Sequence, residues 1–279
     1  MAKVQANGIT IEVEEMGSPA DPPILLIMGL NAQLTVWPEG FCRGLADRGH
    51  QVVRFDNRDV GLSTWLDDQP PGDPIEALFT VLDGGTIEAP YSLADMADDA
   101  VGVLDALGLG SAHIVGASLG GMIGQHVVPR PPDRVRTFTS IMSMPRFIPM
   151  ELEVALSLQP LDVDPHDREA IVAAGIEAAR LIAGTGYPFD EAYVRREALA
   201  NLDRAWNPDG GVRQMMAALA DGEDAAAIDH RVGVDVGQRR HRGRDAGARQ
   251  GVAPQAAAIL IAIGADLARA VAGDHRALA

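Results

Sequence analysis

The hydrophobic and polar positions of the first 142 residues form two kinds of strand pattern. Residues 9–16 (ITIEVEEM) alternate apolar and polar side chains, which predicts a strand with one buried face. Short, continuous apolar runs follow at 22–29 (PPILLIMG), 50–56 (HQVVRFD) and 112–117 (AHIVGA), and such runs are typical of strands buried on both faces. The stretch RVRTFTSIM at 134–142 predicts one further strand.

The clearest helix pattern lies between these strands, over residues 91–110 (YSLADMADDAVGVLDALGLG). Ser92 is a favourable N-cap with Asp95 three residues later, apolar side chains recur on one face, and Gly108 follows as a C-cap. Strands that alternate with helices predict an α/β fold in which a mainly parallel sheet is flanked by helices.

Residues 143–228 differ from this pattern, because strand signals are absent from their sequence. Alanine-rich helical stretches occupy 167–184 and 191–202, and prolines punctuate the region. We therefore expect a helical cap at 143–228, inserted between a first part of the core at 1–142 and a second part at 229–279.

The C-terminal part has an atypical composition for a core segment. Basic residues outnumber acidic ones within 229–279, although the whole chain carries a formal net charge of −16. The stretch 237–251 (GQRRHRGRDAGARQG) has no apolar periodicity, which is typical of a basic flexible loop. Within this part, only 256–264 (AAAILIAIG) predicts a buried strand.

Charge and composition limit the partners and the location that we expect. The net charge of −16 argues against nucleic acid and against an anionic membrane surface, since both require a basic face. No apolar run reaches the roughly 18 residues of a membrane span, and the first residues lack the apolar segment of a secretory signal. The single cysteine, Cys42, excludes an internal disulfide. We expect a cytoplasmic protein with a small-molecule partner, and a homo-oligomer is compatible with these features.

Candidate chemistry is concentrated in HIVGASLGGMIGQ, residues 113–125. Ser118 lies between Gly116 and Gly120, directly after an apolar strand pattern and directly before an apolar helix pattern. A serine in a glycine-rich turn is by itself a common feature, but this strand–turn–helix setting is what a nucleophile elbow requires. The N–H groups at the start of the helix would face a developing negative charge. Ser118 is therefore the candidate nucleophile.

A second turn supplies the other half of such a site. In serine acyl transfer, one N–H group that binds the oxyanion belongs to the residue after the nucleophile, which is Leu119 here. The other comes from the loop after an earlier strand, where Leu30 in the turn GLNAQ is the candidate. The sequence contains no metal-ligand cluster and no phosphate-binding glycine loop, so we expect no cofactor and no metal.

Three stretches resemble the α/β-hydrolase superfamily: 25–64, which contains RFDNRDVGLST, the elbow at 113–125, and PDRVRTFTSIMS at 132–143. The resemblance is closest to bacterial carboxylesterases and methylesterases of the aclacinomycin methylesterase type. It implies an α/β-hydrolase fold and the hydrolysis of a carboxylic ester through a covalent acyl-enzyme. It also implies that Asp56 and Asp59 shape a loop beside the site and are not catalysts.

The resemblance further implies a late acid and a histidine after the last strand, which would activate Ser118. Ala265 occupies the position expected for that histidine, and Asp245 with His275 is the pairing that keeps the order of serine, acid and histidine. For His275 by itself, a surface position is the simpler interpretation. Two alternatives stay open: a catalytically impaired hydrolase-fold protein that binds a small apolar ligand, and a lactonase or perhydrolase on the same scaffold. The atypical C-terminal sequence could reflect degeneration or a local change of reading frame.

Overall fold

Six strands form one sheet in the part of the chain that the structure describes. The structure is a computed structural model that describes residues 1–129, 132–144, 163–164, 166–183 and 188–221. The strands are β1 Ala2–Ala6, β2 Ile9–Met16, β3 Pro23–Ile27, β4 Gln51–Phe55, β5 Ala112–Ala117 and β6 Val135–Ile141. Their order across the sheet is β1-β2-β4-β3-β5-β6. The pairs β4/β3, β3/β5 and β5/β6 are parallel, whereas β1/β2 and β2/β4 are antiparallel. The predicted α/β fold with a mainly parallel sheet is confirmed, and the strand predicted at 256–264 lies outside the described residues.

β1 is the one described strand that the hydrophobic pattern does not predict. It is a short edge strand with mostly exposed residues, AKVQA. The turn that joins it to β2 is Asn7–Gly8, where both residues have positive φ (46 and 79). A two-residue hairpin of this kind favours Asn-Gly. β1 therefore depends on the hairpin turn and on pairing with β2 rather than on its own apolar content.

The described part of the chain contains seven α-helices: α1 Glu39–Ala46, α2 Pro74–Leu82, α3 Leu93–Ala106, α4 Leu119–Val127, α5 Arg168–Ile182, α6 Glu191–Arg204 and α7 Pro208–Ala220. α3 begins as predicted, because the Ser92 side chain accepts a hydrogen bond from the Asp95 N–H and the Asp95 carboxylate accepts one from the Ser92 N–H. α5 and α6 lie where the sequence predicts helices. None of these described helices is both long enough and apolar enough to cross a bilayer.

Alternate residues of β3 contact the two hydrophobic layers that cover the sheet. Leu25 and Ile27 belong to the layer that contains apolar residues of α3 and α4. Ile24 and Leu26 belong to the opposite layer, which contains residues of α1. Helices therefore bury β3 from both faces, as its continuous apolar run predicts.

α7 lies within the predicted cap at 143–228 but packs on the core. Ala217 and Ala218 join the layer of α3 and α4. Met215 and Met216 are buried in a second cluster with Ala77 and Leu78 of α2. The bounds of the cap stay a prediction. Arg213 and Gln214 of α7 also hydrogen-bond to the loops after β3 and β4, so α7 lies against the carboxyl end of the sheet.

Candidate active site

The carboxyl ends of four parallel strands carry a concentration of unusual backbone conformations. Asn31 (φ 53), Asp59 (φ 66), Ser118 (φ 53) and Met142 (φ 50) follow β3, β4, β5 and β6, respectively, and all are non-glycine residues with positive φ. Such conformations cost free energy and are concentrated at functional sites. Ligands also bind preferentially at this end of a parallel sheet. This edge is therefore the candidate active site.

Ser118 stands at the sharp turn between β5 and α4. Its φ of 53 and ψ of −122 are unlike those of either a strand or a helix. The turn is held because the Ser118 N–H donates to the Ile141 carbonyl (2.9 Å) and the Ser118 carbonyl accepts from the Gly121 N–H (2.8 Å). The side chain is half-buried, so its hydroxyl lies at the strand end without being sealed in the core. This is the geometry of a nucleophile elbow.

Two glycines let the backbone close around this turn. A Cβ on Gly116 would lie 2.1 Å from the Gly120 carbonyl oxygen, and a Cβ on Gly120 would lie 2.1 Å from the Ile27 carbonyl oxygen. Both obstacles are main-chain atoms, so no side-chain rotation can relieve them. The glycines of the G-x-S-x-G pattern are therefore required by close packing of β5, α4 and β3.

The Gly116→Ala variant tests this requirement. We expect it to lower the free energy of unfolding by about 2–3 kcal/mol, because β5 and α4 would have to separate. Urea denaturation measures the change, with Gly175→Ala as the control, since a Cβ on Gly175 in α5 meets no atom within 4 Å. The control should be stabilised by about 0.5–1 kcal/mol. Equal stability of Gly116→Ala and the wild type would contradict the packing argument.

The turn after β3 lies directly beside Ser118. A Cβ on Gly29 would be 3.0 Å from the Ser118 Cβ and 3.5 Å from its Oγ. Among the described residues, no acceptor is hydrogen-bonded to the main-chain N–H of Leu30 or of Leu119. The structure thus brings together Ser118, Leu119 and the Leu30 turn, and neither predicted oxyanion donor has an acceptor in the part of the chain that the structure describes. The other two predicted catalytic residues, Asp245 and His275, lie outside the described residues.

The buried carboxylate of Asp56 has a structural set of partners. Its Oδ1 accepts from the Leu34 N–H (2.7 Å), and its Oδ2 accepts from the Leu62 N–H (2.9 Å) and from Arg204 Nη1 (2.7 Å). Arg204 lies at the end of α6 and also donates to Gln33 Oε1 (2.6 Å). Asp56 therefore organises the loops after β3 and β4 and joins them to α6, which agrees with a scaffold role.

Both carboxylate oxygens of Asp59 also accept hydrogen bonds from structural partners. Arg213 of α7 donates to both of its carboxylate oxygens, at 2.9 Å from Nε and 2.8 Å from Nη2, and the Leu66 N–H donates at 2.8 Å. The neighbouring Arg58 makes a second bidentate pair with Asp99 of α3, at 2.6 and 2.7 Å. The loop after β4 is thus fixed to α7 on one side and to α3 on the other.

Sequence reasoning did not identify the anchoring side chains Arg204, Arg213 and Gln214. The last two carried a weak signal, because they form a polar pair inside the otherwise apolar helix segment VRQMMAALA. Polar side chains that are buried this way require partners. The sequence alone does not name those partners, since they lie more than a hundred residues away along the chain.

Neither a cysteine nucleophile nor a metal ion is supported as the reactive group in the part of the chain that the structure describes. Cys42 is buried, and its burial raises the pKa of the thiol to about 11, so it is a poor nucleophile at neutral pH. Within the residues that the structure describes, no group of three or more histidine, cysteine, aspartate or glutamate side chains is placed to hold a metal ion. Ser118 is therefore the reactive group that the geometry of this edge favours.

Comparison with known proteins places this arrangement in a family. Residues 22–180 match the family model described as the alpha/beta hydrolase fold. The chain belongs to the α/β-hydrolase family. The matched range includes β3, the Asp56–Asp59 loop and the Ser118 elbow of this α/β hydrolase, and the resemblance inferred from the sequence is confirmed.

Two curated relatives are methylesterases. Over 218 residues, this α/β hydrolase is 33% identical to rhodomycin D methylesterase DauP of Streptomyces sp. (strain C5), covering 71% of this chain and 67% of that protein. It is 32% identical over 213 residues to rhodomycin D methylesterase DnrP of Streptomyces peucetius, covering 69% of this chain and 65% of that protein. The match thus spans about two thirds of each relative. These similarities support a hydrolase function.

A solved structure agrees on the fold. The enol-lactonase from Burkholderia xenovorans LB400 superposes with a TM-score of 0.54 at 19% identity, covering 78% of this chain and 74% of that one. At this level of identity, the likeness concerns the α/β-hydrolase fold alone and not the substrate.

Proposed function

We propose that the chain is a serine hydrolase that cleaves carboxylic esters through a covalent acyl-enzyme. The observation that carries the proposal is the backbone of Ser118 (φ 53, ψ −122), which holds the hydroxyl beside the Leu30 turn. The similarity to DauP and DnrP supports an ester substrate, and methyl esters in particular, because both relatives are named methylesterases. The substrate is thus a small molecule, and the mechanism draws on no cofactor.

In the proposed reaction, Ser118 Oγ attacks the carbonyl carbon of the ester while its proton passes to a base. The carbonyl electron pair moves onto oxygen, and the N–H groups of Leu30 and Leu119 stabilise this oxyanion. Collapse of the intermediate expels the alcohol, which takes up the proton, and leaves an acyl group on Oγ. Water then attacks the acyl carbonyl and releases the acid and the free serine. Asp245 with His275 is the proposed acid–base pair.

A fluorophosphonate probe tests the nucleophile directly, because the activated serine displaces fluoride and forms a stable bond to phosphorus. We expect about one label per chain, mapped by mass spectrometry to the peptide that contains Ser118. With p-nitrophenyl acetate, we also expect a burst of about one equivalent of p-nitrophenol as the acyl-enzyme forms. Label on another residue, or an unlabelled chain that hydrolyses the ester, would overturn the proposed mechanism.

Ala265 favours a second candidate function, because it stands where the resemblance implies the catalytic histidine. In this candidate, the chain is a hydrolase-fold protein that binds a small apolar ligand without turnover. An unlabelled chain with only background ester hydrolysis would support it. The two candidates therefore give opposite results with the same probe.

A further inference from the structure

Gln214 on α7 is a buried amide that the proposed chemistry does not use. Its side chain is fully buried (0% exposed). Its Oε1 accepts from the main-chain N–H of Asn31 (2.8 Å), and its Nε2 donates to the carbonyl of Arg58 (2.8 Å). An amide is the group that can accept from one loop and donate to another, so Gln214 links the turn after β3 to the loop after β4.

This link acts on the peptide units that flank Leu30. The Asn31 N–H shares a planar peptide unit with the Leu30 carbonyl, so the bond to Gln214 fixes the plane after Leu30. The Leu30 N–H shares the preceding unit with the Gly29 carbonyl, which accepts from the Ala32 N–H (3.3 Å). The Met28 carbonyl, one unit earlier, accepts from Asn57 Nδ2 (2.9 Å).

The contact of Gln214 therefore completes a row of three held peptide units beside Ser118. The weakest of the three bonds, at 3.3 Å, is the one on the peptide unit that contains the Leu30 N–H. Asn31 has a positive φ of 53, which a non-glycine residue adopts at a cost in free energy. The hydrogen bond that the Asn31 N–H donates to Gln214 stabilises that conformation. It also holds the peptide unit next to the one that carries the Leu30 N–H.

We propose that Gln214 is a positioning residue that aims the Leu30 N–H at the oxyanion formed on Ser118. This assignment rests on the proposed function. Loss of one oxyanion donor typically lowers kcat by about 100- to 1,000-fold. A donor that stays present but is poorly aimed loses part of that effect, so we expect about 10- to 100-fold for loss of Gln214.

The structure allows the glutamine to be replaced without loss of the helix that carries it. α7 is held in place independently by the bidentate pair of Arg213 with Asp59. Asn207 caps the helix and donates to the Asp59 carbonyl (3.0 Å). Gln214→Met keeps the length and most of the volume of the side chain while removing both hydrogen bonds.

The test compares Gln214→Met with Val212→Ala, a control on the same helix. Val212 is buried in the cluster of α2 and α7 against which Leu30 packs, so this variant removes buried apolar atoms and leaves the hydrogen bonds of Gln214 in place. We expect Gln214→Met to lower kcat for p-nitrophenyl acetate about 10- to 100-fold with KM within about twofold. Phenylboronic acid, which forms a tetrahedral adduct with the serine, should bind more weakly by a similar factor. Val212→Ala should stay within about twofold of the wild type in both measurements.

Each outcome decides between the two claims. A wild-type kcat in Gln214→Met, an equal loss in both variants, or a change confined to KM would overturn the role of Gln214 while leaving the serine mechanism in place. Wild-type protein without Ser118-dependent turnover would overturn the proposed function and, with it, the assignment of Gln214 to catalysis. A parallel loss of kcat and boronate affinity in Gln214→Met alone supports the positioning role.

Discussion

Replacing Ser118 with alanine is expected to lower kcat/KM for p-nitrophenyl acetate by about 10⁴-fold or more, down to the background rate. In the proposed mechanism, the acyl-enzyme route disappears with the nucleophile, because removal of one member of a serine–histidine–acid set removes nearly the whole effect of such a set. Steady-state hydrolysis of the ester at neutral pH, with a buffer blank, measures this loss. Ser118→Ala should also keep its fold, since the substitution removes one oxygen from a half-buried side chain.

The matched control is Ser18→Ala. Ser18 is an exposed serine in the turn after β2, whose end pairs with the beginning of β4, at the edge of the sheet opposite the candidate site. Its substitution should leave kcat/KM within about twofold of the wild type. Equal background rates in the wild type and in Ser118→Ala would contradict the catalytic proposal and favour the ligand-binding candidate.

Replacing Arg213 with methionine is expected to lower the free energy of unfolding by about 3–5 kcal/mol. Arg213 is 1% exposed and Asp59 is 0% exposed, so removal of the guanidinium leaves a carboxylate without its charged partner in a site that water does not reach. The Leu66 N–H continues to donate to Asp59, but one neutral donor does not offset a buried negative charge. Urea denaturation followed by circular dichroism measures the change.

The contrast is Arg43→Met on α1. Arg43 is paired with Glu39, but these side chains are 67% and 60% exposed, and such surface pairs contribute little to stability. We expect a change of at most about 0.5 kcal/mol in this control. If Arg213→Met and Arg43→Met had similar small effects, the pair of Arg213 with Asp59 would not be the anchor that its burial indicates.

The elements that could be predicted from the sequence are those with local signals. β3, β4 and β5 follow from apolar runs, and α3 follows from its cap at Ser92 and its apolar face. The elbow at Ser118 follows from residues within a few positions of it, because strand, glycines and helix are contiguous there. The structure confirms these elements, since the forces that specify them act over short distances along the chain.

The contacts that hold the site could not be predicted in the same way. Gln214 and Asn31 are 183 residues apart, and Arg213 and Asp59 are 154 apart. A buried amide or guanidinium requires a hydrogen-bond partner, but the sequence around it does not show which loop supplies that partner. The sequence analysis also did not predict α2. Although Asp73 caps this helix and Pro74 begins it, its nine residues are too few to show a clear helical repeat of apolar positions.

The distance along the chain between the two halves of the Gln214 contact also has a consequence for folding. β3 pairs with β4, and β5 pairs with β6, each with its neighbour in sequence, and β3 also pairs with β5, with Ile24 opposite His113. The Leu30 turn is supported across a longer separation, by a helix that is synthesised far later. Contacts of long sequence separation form late, because closing a large loop costs chain entropy before it returns any stabilisation. We therefore expect an intermediate in which the sheet has formed and the nucleophile elbow is shaped, but α7 has not docked and the Leu30 N–H is not yet aimed. Catalytic competence would then be acquired in one of the last steps of folding, after the secondary structure is complete.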